Sequence, residues 1–127
     1  MIVLDASAAL SALLNVGPAR DALATEQIHV PHLIDVEVTG GLRRMVRARQ
    51  MSQAEGWALL DTWRRLGITR YPVFSILHRV WQLRENLSAY DACYVTLAEL
   101  LGCALMTADG RIGRVRGTRC PVTVVPR

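Results

Sequence analysis

The chain has 127 residues and a formal net charge of +4, and 51% of its residues are hydrophobic. This length predicts one domain over residues 1–127, which can bury its own core without disulfides or structural metals. No apolar run is long enough to span a membrane, and no basic region precedes the apolar N-terminus, so we expect neither a membrane segment nor a signal peptide. All fifteen basic residues are arginines, which excludes mechanisms that need a lysine, such as Walker-A nucleotide binding.

Cysteine and histidine usage points to a reduced protein without a histidine-based metal site. The three cysteines, Cys93, Cys103 and Cys120, form no CxxC pair, which predicts a cytoplasmic protein rather than a disulfide framework. His29 and His32 lie on either side of a strand end, and this placement argues against a metal-binding pair.

The first half of the chain alternates short apolar strands with helices. Its first strand ends at Asp5, and Ser7 is the expected N-cap of the Ala/Leu-rich helix that follows. Pro18 is well placed to open the second helix, and Ser52 begins a capping box for the fourth. The predicted elements of this half are strands over residues 2–4 and 28–31 and helices over residues 8–14, 18–24, 33–50 and 53–66.

The second half repeats this alternation and predicts an α/β fold. Ser88, with Asp91 three residues later, marks a helix start, and Gly102 marks the end of the same helix. The predicted elements of this half are helices over residues 74–85 and 89–101 and strands over residues 68–71, 103–107 and 122–125. Strands and helices in alternation favour a central parallel sheet that is covered by helices on both faces.

Four acidic residues lie at strand ends or in early helix turns of these alternating units: Asp5, Glu37, Asp91 and Asp109. Parallel strands end at one edge of a sheet, where α/β proteins place their sites, so the four carboxylates are expected to meet there. Taken alone, Asp5 could be a helix cap and Glu37 a solvated surface residue. Asp35 competes with Glu37, because acids are common in the first turn of a helix.

Four carboxylates in one site would repel one another unless cations neutralise them. Oxygen ligands without histidine or cysteine select Mg²⁺ or Mn²⁺. A pair of such ions activates water and stabilises the leaving oxygen when a phosphodiester is hydrolysed. An acidic, metal-binding pocket on an otherwise basic protein is the charge distribution of a nuclease.

Four stretches of the chain together resemble the PIN domain, and more narrowly the VapC-type toxins of bacterial type II toxin–antitoxin systems. The similar stretches are Ile2 to Ser7, Pro31 to Glu37, Asn86 to Ala92 and Leu105 to Asp109. The resemblance covers nearly the whole chain and implies a PIN-like three-layer α/β/α sandwich. The acidic positions of the family fall on Asp5, Glu37, Asp91 and Asp109, which favours Glu37 over Asp35.

The resemblance also implies an activity, partners and supporting residues. It implies a Mg²⁺-dependent endoribonuclease, with tRNA or ribosomal RNA as the usual substrate, and a homodimer that a cognate VapB-type antitoxin inhibits. Asp5 and Asp91 are hypothesised as principal metal ligands, with Glu37 and Asp109 completing the set. Ser7 matches a polar position of the family near the first acid, and Thr107 is expected to orient the last one.

The arginines supply candidates for RNA binding. Four of them near the acidic motifs are candidate phosphate contacts: Arg84, Arg111, Arg114 and Arg116. The helix over residues 33–50 carries a further basic face of Arg43, Arg44, Arg47 and Arg49, suited to RNA or to an acidic partner.

The chain lacks residues that two other protein classes with a similar first strand require. A haloacid-type hydrolase needs a second aspartate where this chain has Ser7, and both that class and a response-regulator receiver need a lysine. Two alternatives stay open: a PIN-fold nuclease of RNA processing outside a toxin pair, and a non-catalytic PIN protein that binds RNA or a partner.

Overall fold

A computed structural model describes residues 1–127. Five parallel strands form one sheet in the order β3-β2-β1-β4-β5. The strands are β1 (Ile2–Leu4), β2 (Ile28–Pro31), β3 (Thr69–Tyr71), β4 (Ala104–Thr107) and β5 (Val122–Val124). The helices are α1 (Ala6–Leu14), α2 (Pro18–Thr25), α3 (Ile34–Arg47), α4 (Gln53–Arg65), α5 (Leu77–Gln82) and α6 (Ala89–Leu101), with 3-10 turns at Phe74–Ile76 and Ile112–Arg114.

The helices cover both faces of the sheet, and the predicted α/β sandwich is confirmed. α6 packs across β1, β2 and β4, while α1 contacts α2 and α3, and α3 in turn contacts α4. The chain reverses its direction across the sheet between β3 and β4. Because crossovers between parallel strands are right-handed, the helices before and after this reversal lie on opposite faces of the sheet. None of these helices is long and apolar enough to cross a membrane.

The reversal in strand order creates a crevice between β1 and β4. The chain moves from β1 outward to β2 and β3, then returns to the other side of β1 as β4 and β5. Connections therefore leave the carboxyl ends of β1 and β4 in opposite directions, which is where open α/β sheets bind their ligands. α6 leads back into β4 and so begins at this same edge, as do α1 and α3, which follow β1 and β2.

Helix-start and helix-stop signals read from the sequence are present at α4 and α6. Ser52 Oγ accepts a hydrogen bond from the backbone N of Glu55 at 3.0 Å, and Ser88 Oγ accepts one from the N of Asp91 at 3.2 Å. α6 ends at Gly102, whose φ of +65° is a left-handed conformation that favours glycine.

α1 begins earlier than predicted, with Asp5 rather than Ser7 as its N-cap. Asp5 Oδ1 accepts a hydrogen bond from the backbone N of Ala8 at 2.9 Å. The strand therefore turns into the helix with no intervening loop. One carboxylate oxygen of Asp5 is thereby used to fix this turn.

The segment predicted as one helix over residues 74–85 is a 3-10 turn followed by the short α5. Ile76 and Val80 are buried, but Leu77 and Trp81 are exposed, although helical periodicity predicts from the sequence that all four face inward. The apolar residues of this segment occupy more than one face, and a helix can pack only one face against its neighbour α6. Phe74, Leu77 and Trp81 remain as an exposed apolar stripe.

A glycine allows α1 and α3 to approach closely beside the crevice. A Cβ added at Gly41 of α3 would lie 2.4 Å from Leu10 Cδ1 of α1, which is closer than real Cβ atoms come. Gly41 thus sets the spacing of the two helices that line one side of the crevice.

Candidate active site

A cavity of about 740 Å³ opens at the crevice between β1 and β4. Its walls come from α1, α3, α6 and the loop after β4. All four acids singled out in the sequence line it: Asp5, Glu37, Asp91 and Asp109. Tertiary folding has therefore gathered carboxylates that lie as far apart in the sequence as Asp5 and Asp109.

Asp5 is the most buried of the four and is held by hydroxyl groups on both oxygens. Its side chain is almost fully buried, with Ser7 Oγ donating to Oδ1 at 2.6 Å and Thr107 Oγ1 donating to Oδ2. Burial raises the pKa of the Asp5 carboxyl, although hydrogen bonds from Ser7, Thr107 and the N of Ala8 oppose it. The charge of Asp109 raises this pKa further.

Ser7 and Thr107 also tie the loop after β4 to the end of β1. The backbone N of Ala108 donates to Ser7 Oγ at 2.9 Å, and the N of Asp109 donates to Thr107 Oγ1 at 3.0 Å. These two hydroxyls therefore fix the backbone of Asp109 while they orient the side chain of Asp5. Neither residue needs to touch a ligand in order to shape the site.

Glu37 faces the cavity, whereas Asp35 does not. Tyr94 OH donates to Glu37 Oε1 at 2.5 Å from inside the core. Asp35 instead accepts hydrogen bonds from Trp63 Nε1 at 2.8 Å and from Arg70 Nε at 2.7 Å. Residues two positions apart on a helix are separated by about 200° of rotation, so the two acids point to opposite sides of α3.

Asp109 is paired with a cation from its own loop. Arg111 Nη2 lies 2.7 Å from Asp109 Oδ2, and the backbone N of Arg111 donates to Oδ1 at 3.0 Å. These hydrogen bonds lower the pKa of the Asp109 carboxyl to about 2. The Arg111 side chain is itself 82% exposed, so it can leave Asp109 without disturbing the core.

The pKa values of Asp91 and Glu37 are raised by burial and by neighbouring carboxylates. Burial and then the charge of Asp5 raise the pKa of Asp91, with an opposing effect from Ser88. Burial raises the pKa of Glu37 as well, opposed by the Tyr94 hydrogen bond and reinforced by Asp91 and Asp5. Three of the four acids are therefore destabilised in their charged form, which a bound cation would reverse.

Asp91→Asn is accordingly expected to stabilise the metal-free protein by about 1 kcal/mol at neutral pH. The folded-state pKa of Asp91 lies above its ordinary 3.8, so the charged carboxylate begins to cost stability above 3.8 and costs the full amount above the raised folded pKa. The gain should shrink as the pH falls through the raised pKa and vanish below 3.8. Urea denaturation in EDTA at about pH 7 and about pH 4 measures it. An equal gain at both values would contradict this origin.

Similarity to known proteins assigns the family. Residues 2–117 match the model of the PIN domain. The chain is 57% identical to ribonuclease VapC9 of Mycobacterium tuberculosis over 127 residues, covering 100% of both chains. It is 38% identical to ribonuclease VapC12 of that organism over 129 residues, covering 98% of this chain and 99% of the relative. The chain belongs to the PIN-domain family, among the VapC ribonucleases. The resemblance found in the sequence is confirmed.

Solved structures of VapC proteins share the fold. The chain matches VapC20 of Mycobacterium tuberculosis, a toxin that cleaves the sarcin–ricin loop, with a TM-score of 0.64 and 15% identity. That match covers 94% of this chain and 97% of VapC20. It also matches VapBC2 of Rickettsia felis, solved with a promoter DNA fragment, with a TM-score of 0.70, 11% identity and coverage of 98% and 99%. At these identities the likeness establishes the fold alone.

The donor set of this PIN domain fits a hard divalent cation, although its side chains are not arranged around one. Carboxylate oxygens from four elements share the cavity without histidine or cysteine, which is the chemistry of a Mg²⁺ or Mn²⁺ site. No three acidic, histidine or cysteine side chains converge closely enough to hold an ion as they stand. In the structure Asp109 is paired with Arg111 and Glu37 is hydrogen-bonded to Tyr94, so each of these carboxylates is turned toward a protein donor.

Of the four arginines proposed from the sequence as phosphate contacts, only Arg111 lines the cavity. Arg84 stacks over the Trp81 ring at 4.5 Å, and the carbonyl of Arg116 accepts a weak hydrogen bond from Asn86. Arg84, Arg114 and Arg116 lie outside the cavity wall. Contacts to phosphates farther along an RNA chain stay a prediction for these three.

Two arginines that the sequence analysis did not assign to the site line the cavity: Arg44 and Arg127. Arg44 lies seven residues after Glu37, two helical turns on, so helical spacing could have placed both on one face of α3. Nothing in the sequence places Arg127, which reaches the cavity because β5 pairs with β4. Both lower the pKa of a nearby acid, Arg44 that of Glu37 and Arg127 that of Asp109.

Proposed function

We propose that this VapC protein is an endoribonuclease that depends on a divalent metal ion, Mg²⁺ or in its place Mn²⁺. The observation that carries the proposal is the meeting of four carboxylates in one cavity, three of them with a raised pKa, on a chain of positive net charge. A protein that only binds RNA gains nothing from an acidic pocket that repels phosphates and costs stability. The VapC ribonucleases to which the chain is similar support the same activity.

Each carboxylate has a separate role in this proposal. Asp5 and Asp91 are the principal metal ligands, and Glu37 and Asp109 complete the set. When bound, the metal supplies a water molecule of lowered pKa and neutralises charge on the phosphodiester in the transition state. Ser7 and Thr107 keep Asp5 in one orientation through hydrogen bonds to both of its oxygens.

The surrounding arginines hold the RNA backbone in this proposal. Arg44, Arg111 and Arg127 line the cavity with the acids and place positive charge where phosphates on either side of the cleaved bond must lie. Arg111 is bound to Asp109 in the structure, so its guanidinium and a metal ion compete for the same carboxylate.

Arg111→Ala is therefore expected to strengthen Mn²⁺ binding by roughly three- to tenfold, because it removes the cation that occupies Asp109. Calorimetric titration with Mn²⁺ measures the change without any need for turnover. Arg116→Ala is the matched control, since it removes the same charge from the same loop without freeing a carboxylate. Equal effects of the two variants would show that only net charge matters and would refute the direct competition.

The biological setting is proposed from the relatives. We infer that residues 1–127 form one PIN domain of a cytoplasmic toxin whose partner is a VapB-type antitoxin and whose substrate is tRNA or ribosomal RNA. The exposed apolar stripe of Phe74, Leu77 and Trp81 supports a homodimer, because isolated monomers rarely leave such a stripe uncovered. Light scattering on wild type and a Trp81→Ser variant tests that assembly.

The test of function is cleavage of total cellular RNA by the purified, antitoxin-free protein in Mg²⁺, with EDTA as a control. Sequencing of the fragment ends identifies the RNA and the bond that is cut. Discrete cuts that disappear in EDTA support the metal-dependent nuclease. Cuts that persist in EDTA refute the metal, and RNA that is bound but never cut favours a non-catalytic PIN protein. Cuts confined to processing sites of RNA precursors favour a role outside a toxin pair.

A further inference from the structure

Two exposed apolar side chains stand at the rim of the cavity, each directly before one of the acids. Val36 precedes Glu37 in the first turn of α3, and Tyr90 precedes Asp91 in the first turn of α6. Both line the same cavity as the carboxylates. Val36 is 76% exposed and Tyr90 62% exposed, whereas the acid that follows each is partly buried.

The backbone of Tyr90 is fixed in the first turn of α6, whereas its side chain is exposed. Ser88 caps α6 through the N of Asp91, so the backbone on both sides of Tyr90 is fixed. The Tyr90 hydroxyl makes no hydrogen bond, in contrast to Tyr94, which is bound to Glu37, and Tyr71, which is bound to His29. The structure thus presents an exposed aromatic ring on a fixed backbone, and neither core packing nor a hydrogen bond uses that ring.

The chemistry of the cavity decides what that face can bind. Carboxylates that can hold a metal ion lie beside it, and Arg44, Arg111 and Arg127 supply positive charge for phosphates. A ligand that brings a phosphate to the acids also brings a base within reach of the rim. The face of a base is open for stacking on an aromatic ring only where the RNA is unpaired or unstacked.

We propose that Tyr90, together with Val36, forms a subsite that stacks one unpaired RNA base next to the phosphate at the carboxylates. The inference rests on the proposed function and adds to it a contact between this rim and one base next to the bound phosphate. Tyr90 supplies the π face and Val36 an aliphatic contact from a second helix. The hydroxyl of Tyr90 has no role in this subsite, because an aromatic ring alone is enough for stacking.

The test uses short unstructured RNAs that each carry one 2-aminopurine, whose fluorescence falls when it stacks on an aromatic ring. Wild type is titrated in Ca²⁺ instead of Mg²⁺, with gels to verify that the RNA stays intact, and again with the matched duplex. Tyr90→Phe and Tyr90→Ala are compared with it. Leu100→Ala is the control, since Leu100 is an exposed apolar residue at the other end of α6.

We expect quenching at one position of the single strand for wild type and Tyr90→Phe, and little with the duplex. Tyr90→Ala should lose the quenching and weaken single-strand binding by roughly 5- to 100-fold, the effect of one stacked base. Leu100→Ala should match wild type. Unchanged quenching in Tyr90→Ala, loss of quenching in Tyr90→Phe, or no RNA binding by wild type would each overturn the subsite.

The experiments distinguish failure of the base subsite from failure of the proposed nuclease activity. Position-specific quenching that depends on Tyr90, with no RNA cut in Mg²⁺, would leave the base subsite standing and remove the nuclease. Cleavage in Mg²⁺ with unchanged RNA binding in Tyr90→Ala would remove the subsite and leave the nuclease. A Tyr90→Ala defect seen only in antitoxin binding would also overturn the subsite, because it would assign the rim to a protein partner.

Discussion

Asp91→Asn is expected to reduce RNA cleavage by at least about 100-fold, because it removes a charged oxygen ligand worth several kcal/mol in the transition state. The variant should keep its fold, since Asp91 starts α6 through its backbone N and asparagine leaves that hydrogen bond to Ser88 in place. Initial rates of cleavage of the RNA identified in total cellular RNA, in saturating Mg²⁺, measure the loss. Circular dichroism and the unfolding midpoint verify that the variant is folded.

Asp21→Asn is the matched control for this experiment. Asp21 also lies in the first turn of a helix, α2, but it is exposed and does not line the cavity. Its replacement removes the same charge from the protein and should leave the rate of cleavage within about twofold of wild type. Equal rates in Asp91→Asn and wild type would remove Asp91 from the metal site. Equal losses in both variants would show that the overall charge controls cleavage.

Arg79→Ala is expected to destabilise the protein by about 2–4 kcal/mol, the largest effect on stability among the predictions. Arg79 of α5 donates to both oxygens of Glu99 of α6, at 2.8 and 3.1 Å, and to the carbonyl of Gly117 at 2.7 Å. The Glu99 side chain is only 10% exposed and also accepts from the N of Arg119 at 2.6 Å. Removing Arg79 would leave Glu99 as a nearly buried charge with one remaining partner.

The measurement is urea denaturation at neutral pH, compared with Arg64→Ala. Arg64 pairs with Asp61 on the surface, at 58% side-chain exposure, so its loss should cost less than about 1 kcal/mol. The double variant Arg79→Ala with Glu99→Gln should be less destabilised than the sum of the single variants, since the two residues contact each other directly. A loss in Arg79→Ala no larger than in Arg64→Ala would contradict the prediction.

The contribution of this ion pair should also depend on pH. Burial raises the pKa of Glu99, but the hydrogen bonds from Arg79 and from the N of Arg119 outweigh it, so the folded-state pKa lies below the ordinary 4.5. An acid with a lowered folded pKa stabilises the protein above its unfolded pKa. The difference between wild type and Arg79→Ala should therefore be full above 4.5 and shrink as the pH falls through the lower folded value.

The sequence predicted those parts of the fold that local chemistry controls. Ser52, Ser88 and Gly102 act through hydrogen bonds or backbone angles within a few residues, so the ends that they mark in α4 and α6 could be predicted. The same holds for the apolar strands and for the α/β alternation. Local signals failed at α1, where two candidate N-cap residues lie two positions apart. Asp5 rather than Ser7 caps this helix, because the strand leads directly into it.

The sequence by itself determined which carboxylates belong together and that they meet at the edge formed by the carboxyl ends of the strands. Strand ends and first helix turns can be predicted from short-range patterns. Only the tertiary structure decided how the four are partnered. Tyr94 reaches Glu37 across 57 residues, and Thr107 reaches Asp5 across 102, through the packing of α6 and the pairing of β4 with β1. Arg127 enters the cavity, and Arg79 finds Glu99, for the same reason. Such contacts depend on which elements become neighbours in the folded sheet, and residue spacing along the chain does not contain that information.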